Sequence, residues 1–366
     1  MKAFTNGRIF TGTETLEGTC LLTANGQVIG FSDSIPAFYE RVDLQNGWLV
    51  PAFLDLQIYG GNGQFFGEFP SVEALIATQL YCLAGGASHF LPTIATHSEA
   101  VTLAAIAAVR EYWAQGLPGV LGLHLEGPFL NPVKRGAHLP QYLRQPTLER
   151  VQKLLNQGRG IVKMMTIAPE ICPADVLDFL SKQNEVVISA GHSNATYREA
   201  QAAFDSGIRT ATHLFNAMSA LQHREPGLVG AIFNHPEVCV SLIADGHHVD
   251  FAAIKIAKRL LQDRLFLITD AVTDNPDGQY AHRLDGDKYV VADGTLSGSA
   301  LTMLQAVKNC VRQAGMELEE AWRMAALYPA RVMGLEDQFG KIEAGRKVNF
   351  LHLNAELDLV KHFGTA

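Results

Sequence analysis

A repeated alternation of short apolar segments with helix-like segments is the feature that most constrains how this 366-residue chain can fold. Eight of the apolar segments are predicted to be buried strands, at 49–56, 88–94, 120–125, 161–167, 186–190, 210–214, 239–244 and 265–269. Strands that are apolar along their whole length are typical of a parallel sheet covered by helices. Eight successive units favour an α/β fold, a closed (β/α)8 TIM-type barrel. A doubly wound open sheet is the alternative, but it would use fewer strands and usually a Gly-rich first turn, which is missing here.

Helix-like segments follow most of these strands. They lie near 72–83, 99–113, 148–155, 174–181, 197–205 and 251–261, and two more, at 300–314 and 318–333, follow the last strand. Thr196 and Glu199 have the spacing of a capping box, and Gly207 is suited to end the helix that they begin. In the last segment Pro329 predicts a break, because proline fits the first position of a new helix.

Both ends of the chain have a different pattern. Residues 1–48 are short alternating segments separated by Asn-Gly pairs at 6–7, 25–26 and 46–47, and Asn-Gly between extended runs is a strong hairpin signal. Residues 340–366 return to short β-like runs such as Val348–Leu353. We therefore predict a barrel domain over 49–339 and a small β-sandwich domain that residues 1–48 and 340–366 form together.

Composition limits the classes of partner. Charged residues make up 18% and hydrophobic residues 48% of the chain, the balance of a well-packed enzyme rather than of a disordered chain. The net charge of -8 without a Lys/Arg-rich block argues against nucleic acid. No run approaches the roughly 18 apolar residues of a membrane helix, so we expect no membrane partner. Five cysteines without CxxC spacing, and a start at Met1–Gly7 without an apolar signal segment, predict reduced thiols and a cytoplasmic protein.

Four of the strand-like segments end in a residue that can bind a metal or transfer a proton. These residues are Glu126, His192, His213 and Asp270. In (β/α)8 enzymes the reacting side chains lie at the carboxyl ends of several strands, so we expect one shared site. His192 and His213 are 21 residues apart, about one strand–helix unit, which predicts adjacent strands. Glu, His and His with an open position form a common catalytic zinc set, and Asp270 can then move a proton from bound water to a leaving amine.

A structural interpretation competes with this one. A single histidine at a strand end is more often a hydrogen-bonded structural residue than a metal ligand. Four ionisable residues in matching positions nevertheless favour a site, because independent structural reasons would otherwise have to coincide. His124 lies on the same side of its strand as Glu126, and we predict that it supports the site or fills the barrel interior.

Loops that follow these strands carry further candidates. His138, after the third strand, can donate a hydrogen bond to a carbonyl oxygen as charge develops, or can be an ordinary surface histidine. Asn216 and Arg224, after the sixth strand, form a plausible phosphate cradle, although a solvated arginine in a turn is the default. His248 follows the seventh strand, and 296–299 is predicted to be a tight turn before a helix, where backbone groups can meet a ligand.

Seven motifs, taken in order, resemble a known family. They are His124–Pro128, Gly191–Ala195, Thr212–Met218, Arg224–Gly227, Asp245–Asp250, Thr269–Ala271 and Leu296–Ser299. They are similar to those of the N-acetylglucosamine-6-phosphate deacetylases of the amidohydrolase superfamily, and the likeness extends from Pro51–Asp55 to Gly340–Gly345. No single motif is decisive, but their joint order is highly specific.

The resemblance implies a metal-dependent hydrolase that removes the N-acetyl group of N-acetylglucosamine 6-phosphate. It implies Glu126, His192 and His213 as metal ligands, Asp270 as the acid/base, and His138 on the acetyl carbonyl. The substrate-binding residues that it implies are Asn216, Ala217 and Arg224 for the phosphate, His248 for the sugar, and Ala137, Leu296, Ser297 and Gly298 as lining of the site. The partner is then a small phosphorylated amino sugar. The family also implies a homodimer in which Arg224 can act on the ligand of the other subunit.

One departure from the superfamily pattern bears on the metal. Many members carry His-x-His at the end of the first strand, where it binds a second metal, whereas this chain has Gln57-Ile58-Tyr59. We therefore predict one divalent metal ion per chain, zinc in preference to Fe2+ or another divalent ion. The alternatives are a related amidohydrolase acting on N-acetylgalactosamine 6-phosphate or a cyclic amide, and a metal-free barrel that serves as a binding module.

Overall fold

Eight parallel strands form the centre of the molecule in a computed structural model that describes residues 1–364. They are Phe53–Ile58, Ala87–Ala95, Leu123–Glu126, Val162–Ile167, Val187–Ala190, Thr210–Ala211, Cys239–Leu242 and Leu265–Leu267, and each pairs with the next in chain order. The last strand returns to the first, since Asp270 N–H donates to the carbonyl oxygen of Gln57 and Tyr59 N–H to that of Ala271, both at 2.9 Å. The predicted (β/α)8 barrel is confirmed.

Ten α-helices are present among residues 1–364. They are Val72–Ala84, Glu99–Ala114, Leu148–Gln157, Ala174–Ser181, Tyr197–Asp205, Gly227–Asn234, Phe251–Leu261, Met303–Arg312, Leu318–Ala325 and Leu327–Val332. The capping box of Thr196 and Glu199 forms with both of its hydrogen bonds. The break in the last helical segment lies at Ala326 rather than at Pro329, which occupies the first turn of the final helix, where backbone N–H groups have no helical partner. No helix in residues 1–364 is long and apolar enough to cross a membrane.

The two chain ends build a separate pair of sheets, which confirms the predicted β-sandwich. One sheet contains Gln27–Ser32, Cys20–Ala24, Lys2–Thr5 and Glu40–Asp43, and the other contains Leu359–Gly364, Asn349–Leu353, Trp48–Pro51, Arg8–Phe10 and Thr15–Leu16. Phe4 packs edge-on against Phe350 and Phe363, which are tilted against each other, in the apolar core of this domain. The segment 49–56 is therefore divided, because Trp48–Pro51 belongs to this sheet and the barrel strand begins at Phe53. Domain boundaries at residues 48 and 339 stay a prediction.

Two small β elements lie beside the mouth of the barrel. A hairpin of Gly60–Gly61 and Gln64–Phe65 follows the first barrel strand. Arg283–Asp285, Lys288–Val290 and Leu296–Ser299 form an antiparallel sheet after the last one. The segment 296–299 is thus a strand, and its prediction as a tight turn was wrong, because Ser299 N–H pairs with the carbonyl oxygen of Asp270 and so extends the backbone.

Candidate active site

Three side chains from separate strands meet at the carboxyl end of the barrel. Glu126 Oε1 lies 3.2 Å from Nε2 of His192 and 3.0 Å from Nε2 of His213. The two Nε2 atoms are 3.0 Å apart, and all three side chains are buried. The backbone turns sharply where these strands end, since His192 and His213 have φ values of 48° and 40°. Such left-handed geometry is costly for residues other than glycine and is concentrated at functional sites.

The hydrogen bonds of His192 show that this cluster fits a cation. Its Nδ1–H donates to the carbonyl oxygen of Lys134 at 2.9 Å, so Nε2 presents a lone pair to the Glu126 oxygen. Two electron-rich atoms at this distance repel each other unless a cation lies near both. A carbonyl partner on the outer ring nitrogen is also the usual support of a metal-binding histidine. Within residues 1–364, the group of Glu126, His192 and His213 is the one with the spacing of metal ligands.

Asp270 lies beside this cluster and shares a hydrogen-bond donor with it. Gln57 Nε2 is 2.7 Å from Asp270 Oδ1 and 3.0 Å from Glu126 Oε1. Burial, and then the nearby charge of Glu126, raise the pKa of Asp270 well above its usual value. Burial opposes ionisation of Glu126 too, but hydrogen-bond donors at its carboxylate, His138 among them, hold the pKa of Glu126 well below its usual value. One carboxyl group is therefore a permanent anion, and the other can exchange a proton.

The first barrel strand supplies hydrogen bonds to this anion. The hydroxyl group of Tyr59 donates to Glu126 Oε2, while Gln57 reaches the other oxygen of the same carboxylate. In the sequence, Gln57 and Tyr59 stand out only as a departure from a metal-binding pattern. Their contacts make them part of the site.

His138 enters the site from the loop that follows the third strand. Its Nδ1 accepts a hydrogen bond from the Thr96 backbone N–H at 3.1 Å, so the ring proton is on Nε2. That Nε2–H lies 3.0 Å from Glu126 Oε2. His138 is buried, which excludes the surface-histidine reading, and it presents a hydrogen-bond donor beside the candidate metal ligands.

A cavity of about 390 Å3 opens over these side chains. Every substrate-binding candidate except Arg224 lines it, and these residues are Ala137, Asn216, Ala217, His248, Leu296, Ser297 and Gly298. His248 is oriented by Asp245, since its Nδ1 lies 2.6 Å from Asp245 Oδ2. Arg224 is exposed on the loop before helix Gly227–Asn234 and does not line the cavity of its own chain.

Some lining residues were not anticipated from the sequence. Phe65, Val272, Tyr280 and His282 also face the cavity. They lie in the small hairpin or in the segment after the last barrel strand, outside the strand-end pattern. To predict His282 as a lining residue, one would have to know that the polar segment around it folds back over the mouth of the barrel.

Comparison with known proteins assigns the family. The amidohydrolase family model matches residues 48–363, and the chain belongs to that family. N-acetylglucosamine-6-phosphate deacetylase of Haemophilus influenzae is 35% identical over 360 residues, covering 95% of this chain and 93% of the relative. N-acetylgalactosamine-6-phosphate deacetylase of Escherichia coli O157:H7 is 33% identical over 360 residues, covering 96% and 94%.

A solved structure gives the same result for the fold. The crystal structure of N-acetylglucosamine-6-phosphate deacetylase from Pasteurella multocida aligns with a TM-score of 0.92 at 32% identity. The alignment covers 100% of this chain and 98% of that chain. The resemblance that the sequence motifs indicated is confirmed.

Proposed function

We propose that the protein hydrolyses the acetamide bond of N-acetylglucosamine 6-phosphate and releases glucosamine 6-phosphate and acetate. The observation that carries this proposal is the convergence of Glu126, His192 and His213, with Asp270 beside them. The relative from Haemophilus influenzae, which is named for this activity, matches 95% of the chain and supports this substrate. The relative named for the galacto epimer is 33% identical, so that epimer is the comparison substrate for the test.

One divalent cation, zinc by preference, is held in this proposal by Glu126, His192 and His213. A divalent cation bound in such a site lowers the pKa of water to about 7 and polarises a carbonyl oxygen. Gln57 and Tyr59 stand where a His-x-His pair would bind a second ion, and they are already hydrogen-bonded to Glu126. We therefore propose one ion per chain.

In this proposal Asp270 transfers the proton, and His138 stabilises the charge that develops on the acetyl oxygen. Asp270 takes a proton from the attacking water and delivers it to the sugar nitrogen as the carbon–nitrogen bond breaks. Burial raises the pKa of Asp270, so its carboxylate is a stronger base towards the attacking water than an exposed aspartate would be. With substrate bound, the Nε2–H of His138, which lies against Glu126 Oε2 in this structure, donates to the acetyl oxygen while negative charge builds on it.

The rest of the cavity binds the sugar phosphate in this proposal. Asn216 and Ala217 follow a strand end and offer an amide side chain and backbone groups to the phosphate. His248, held by Asp245, contacts the sugar. Ala137 and the strand residues Leu296, Ser297 and Gly298 close the walls around it.

Arg224 contributes from a second subunit in this proposal. Its exposed position outside its own cavity supports a homodimer in which it reaches the phosphate bound to the other chain. We also propose a cytoplasmic location, which the five free cysteines support.

Acetate release from N-acetylglucosamine 6-phosphate tests the proposal. We expect turnover that a chelator abolishes and added Zn2+ restores, with a higher KM for N-acetylglucosamine, which lacks the phosphate. N-acetylgalactosamine 6-phosphate should have the lower kcat/KM of the two phosphorylated epimers. Turnover that survives complete removal of metal, or no acetate release from either epimer, would contradict the proposed function.

A further inference from the structure

His282 is a buried histidine on the cavity wall that takes no part in the chemistry described above. It is 4% exposed and lines the same cavity as the candidate metal ligands. Its Nδ1 lies 2.9 Å from the hydroxyl oxygen of Ser297. Its Nε2 has no hydrogen-bond partner among residues 1–364. A buried polar atom without a hydrogen-bond partner lowers stability by about 1–3 kcal/mol. This cost indicates that Nε2 of His282 has a function other than stabilising the fold.

The surroundings of His282 prevent the ring from turning to find a partner elsewhere. Phe65 packs against it with ring centroids 4.8 Å apart, and Tyr280 lies nearly parallel to it at 6.2 Å. Tyr280 is itself fixed, because its hydroxyl group donates to the Thr96 carbonyl oxygen. The direction of the free nitrogen is therefore set by the packing of the cavity wall.

The chemistry of the imidazole limits what this nitrogen can bind. Burial lowers the pKa of His282 to about 4, so the ring is neutral near neutral pH. If Ser297 donates to Nδ1, then Nε2 carries the proton and donates; if Ser297 accepts, then Nε2 accepts. An alcohol hydroxyl group can both donate and accept, so it pairs with either tautomer. A phosphate or carboxylate pairs with one of them only, and an ammonium group with the other.

We propose that His282 is a substrate-binding residue whose Nε2 hydrogen-bonds a ring hydroxyl group of the sugar, with Ser297 as the positioning residue for the imidazole. This inference rests on the proposed function. In N-acetylglucosamine 6-phosphate the acetamide is on C2 and the phosphate on C6, so hydroxyl groups remain at C1, C3 and C4. His282 stands outside the metal-ligand group of Glu126, His192 and His213. It therefore contributes to recognition and not to bond breaking.

Two substitutions of matched polarity test this role. His282→Asn keeps a polar group for Ser297 but ends short of the Nε2 position, whereas His282→Gln can reach it. We expect His282→Asn to raise KM for N-acetylglucosamine 6-phosphate about 10-fold and to leave kcat within about twofold, the loss of one neutral hydrogen bond to bound substrate. His282→Gln should restore KM to within about threefold of wild type, because it replaces the lost group.

Deoxy substrates identify the contact. The 1-deoxy, 3-deoxy and 4-deoxy forms of the sugar phosphate are compared in wild type and in His282→Asn. For the form that lacks the contacted hydroxyl group, the substitution should leave KM unchanged, while the other two forms should show the full rise. An equal rise for all three forms would overturn the proposal, because the substitution would then act through the shape of the wall.

A control histidine is available at the other end of the barrel. His89 also has its Nδ1 2.9 Å from a serine hydroxyl, that of Ser88, and also packs against a phenylalanine, Phe339. His89→Asn should leave KM unchanged. If wild type is active and His282→Asn has the wild-type KM, or loses kcat instead, the inference alone fails. If wild type releases no acetate, the proposed function fails and this inference falls with it.

Discussion

Asp270 is the residue on which the proposed chemistry depends most. It is buried, hydrogen-bonded to Gln57 and held at a left-handed backbone position with φ of 54°. These features fix one carboxyl group next to the candidate metal ligands without making it one of them. It can therefore move protons while the cation stays bound.

The substitution Asp270→Asn separates proton transfer from cation binding. The amide keeps the size of the side chain and can still accept from Gln57, but it cannot take up a proton. We expect kcat to fall by at least about 10³-fold, within the range of lost acid–base catalysis, while metal content stays at the wild-type level. Acetate release and metal analysis on the same sample check this. Activity within tenfold of wild type would contradict the proposal that Asp270 is the acid/base of the reaction.

His89 gives a prediction for the pH dependence of stability. Burial first, and then the charges of His362 and Lys347, lower the pKa of His89 from 6.5 to about 4. Below pH 6.5 His89 is protonated in the unfolded chain but stays neutral in the folded chain. The free energy of unfolding therefore falls as the pH drops towards 4. Between roughly pH 7 and 5, the titration of His89 lowers the free energy of unfolding by about 2 kcal/mol.

The measurement compares wild type with His89→Asn in urea at the two pH values. The variant should lose about 2 kcal/mol less than wild type between them, because it no longer titrates there. Equal losses in both proteins would show that His89 is not the group responsible.

The sequence predicts the charged residues of the site better than the neutral ones. Glu126, His192, His213 and Asp270 end apolar strands, where an ionisable side chain is conspicuous. His282 lies in a polar segment in which a histidine is ordinary, and its burial depends on a fold-back that no local pattern encodes. The exposed position of Arg224 could not be read from the sequence either, because nothing in its turn distinguishes a side chain facing its own site from one facing outward.

At the scale of elements, predictability followed the strength of the local pattern. The eight barrel strands were predicted because each is apolar and bounded by turns. Helix Gly227–Asn234 was missed because it contains two glycines and is buried on almost every side, which removes the helical periodicity. The sheet Arg283–Ser299 was missed because its first strand is exposed and charged. The break after Pro51 was hidden within one continuous apolar run.

The helix Tyr197–Asp205, which follows His192, provides a prediction at this scale. Thr196 accepts from the Glu199 N–H, and Glu199 accepts from the Thr196 N–H. Thr196→Ala should lower the free energy of unfolding by about 1 kcal/mol and leave kcat unchanged, since a cap contributes to the helix and not to the cavity. Urea denaturation checks it, with Thr13→Ala, in an exposed turn, as the control. A loss as large in the control would contradict the cap's contribution.

For the whole molecule, closing the barrel and assembling the site are the same event. The backbone bond from Asp270 N–H to the Gln57 carbonyl oxygen joins the last strand to the first, and it also places both of these side chains beside Glu126. Buried Asp55 strengthens this seam by accepting from the Thr269 N–H and hydroxyl group. Residues from opposite ends of the barrel sequence meet only when the sheet is closed.

The proposed dimer makes a prediction that mixed dimers can test. Arg224→Ala should raise KM for the phosphorylated sugar and have little effect on the unphosphorylated one. Mixing Arg224→Ala chains with Asp270→Asn chains produces mixed dimers. If Arg224 acts across the interface, each mixed dimer has one complete site, in which Asp270 of one chain acts together with Arg224 of the other. Sites with wild-type KM should then appear on mixing. If Arg224 acts within its own chain, mixing restores nothing.

Metal analysis of purified protein tests the central claim most directly, because everything else depends on Glu126, His192 and His213 holding one cation. Wild type, Glu126→Gln and, as a control, His89→Asn are compared after dialysis. We predict one divalent ion per chain in wild type and in His89→Asn, and loss of most of it in Glu126→Gln. Two ions per chain, or a metal content that Glu126→Gln leaves unchanged, would contradict the account.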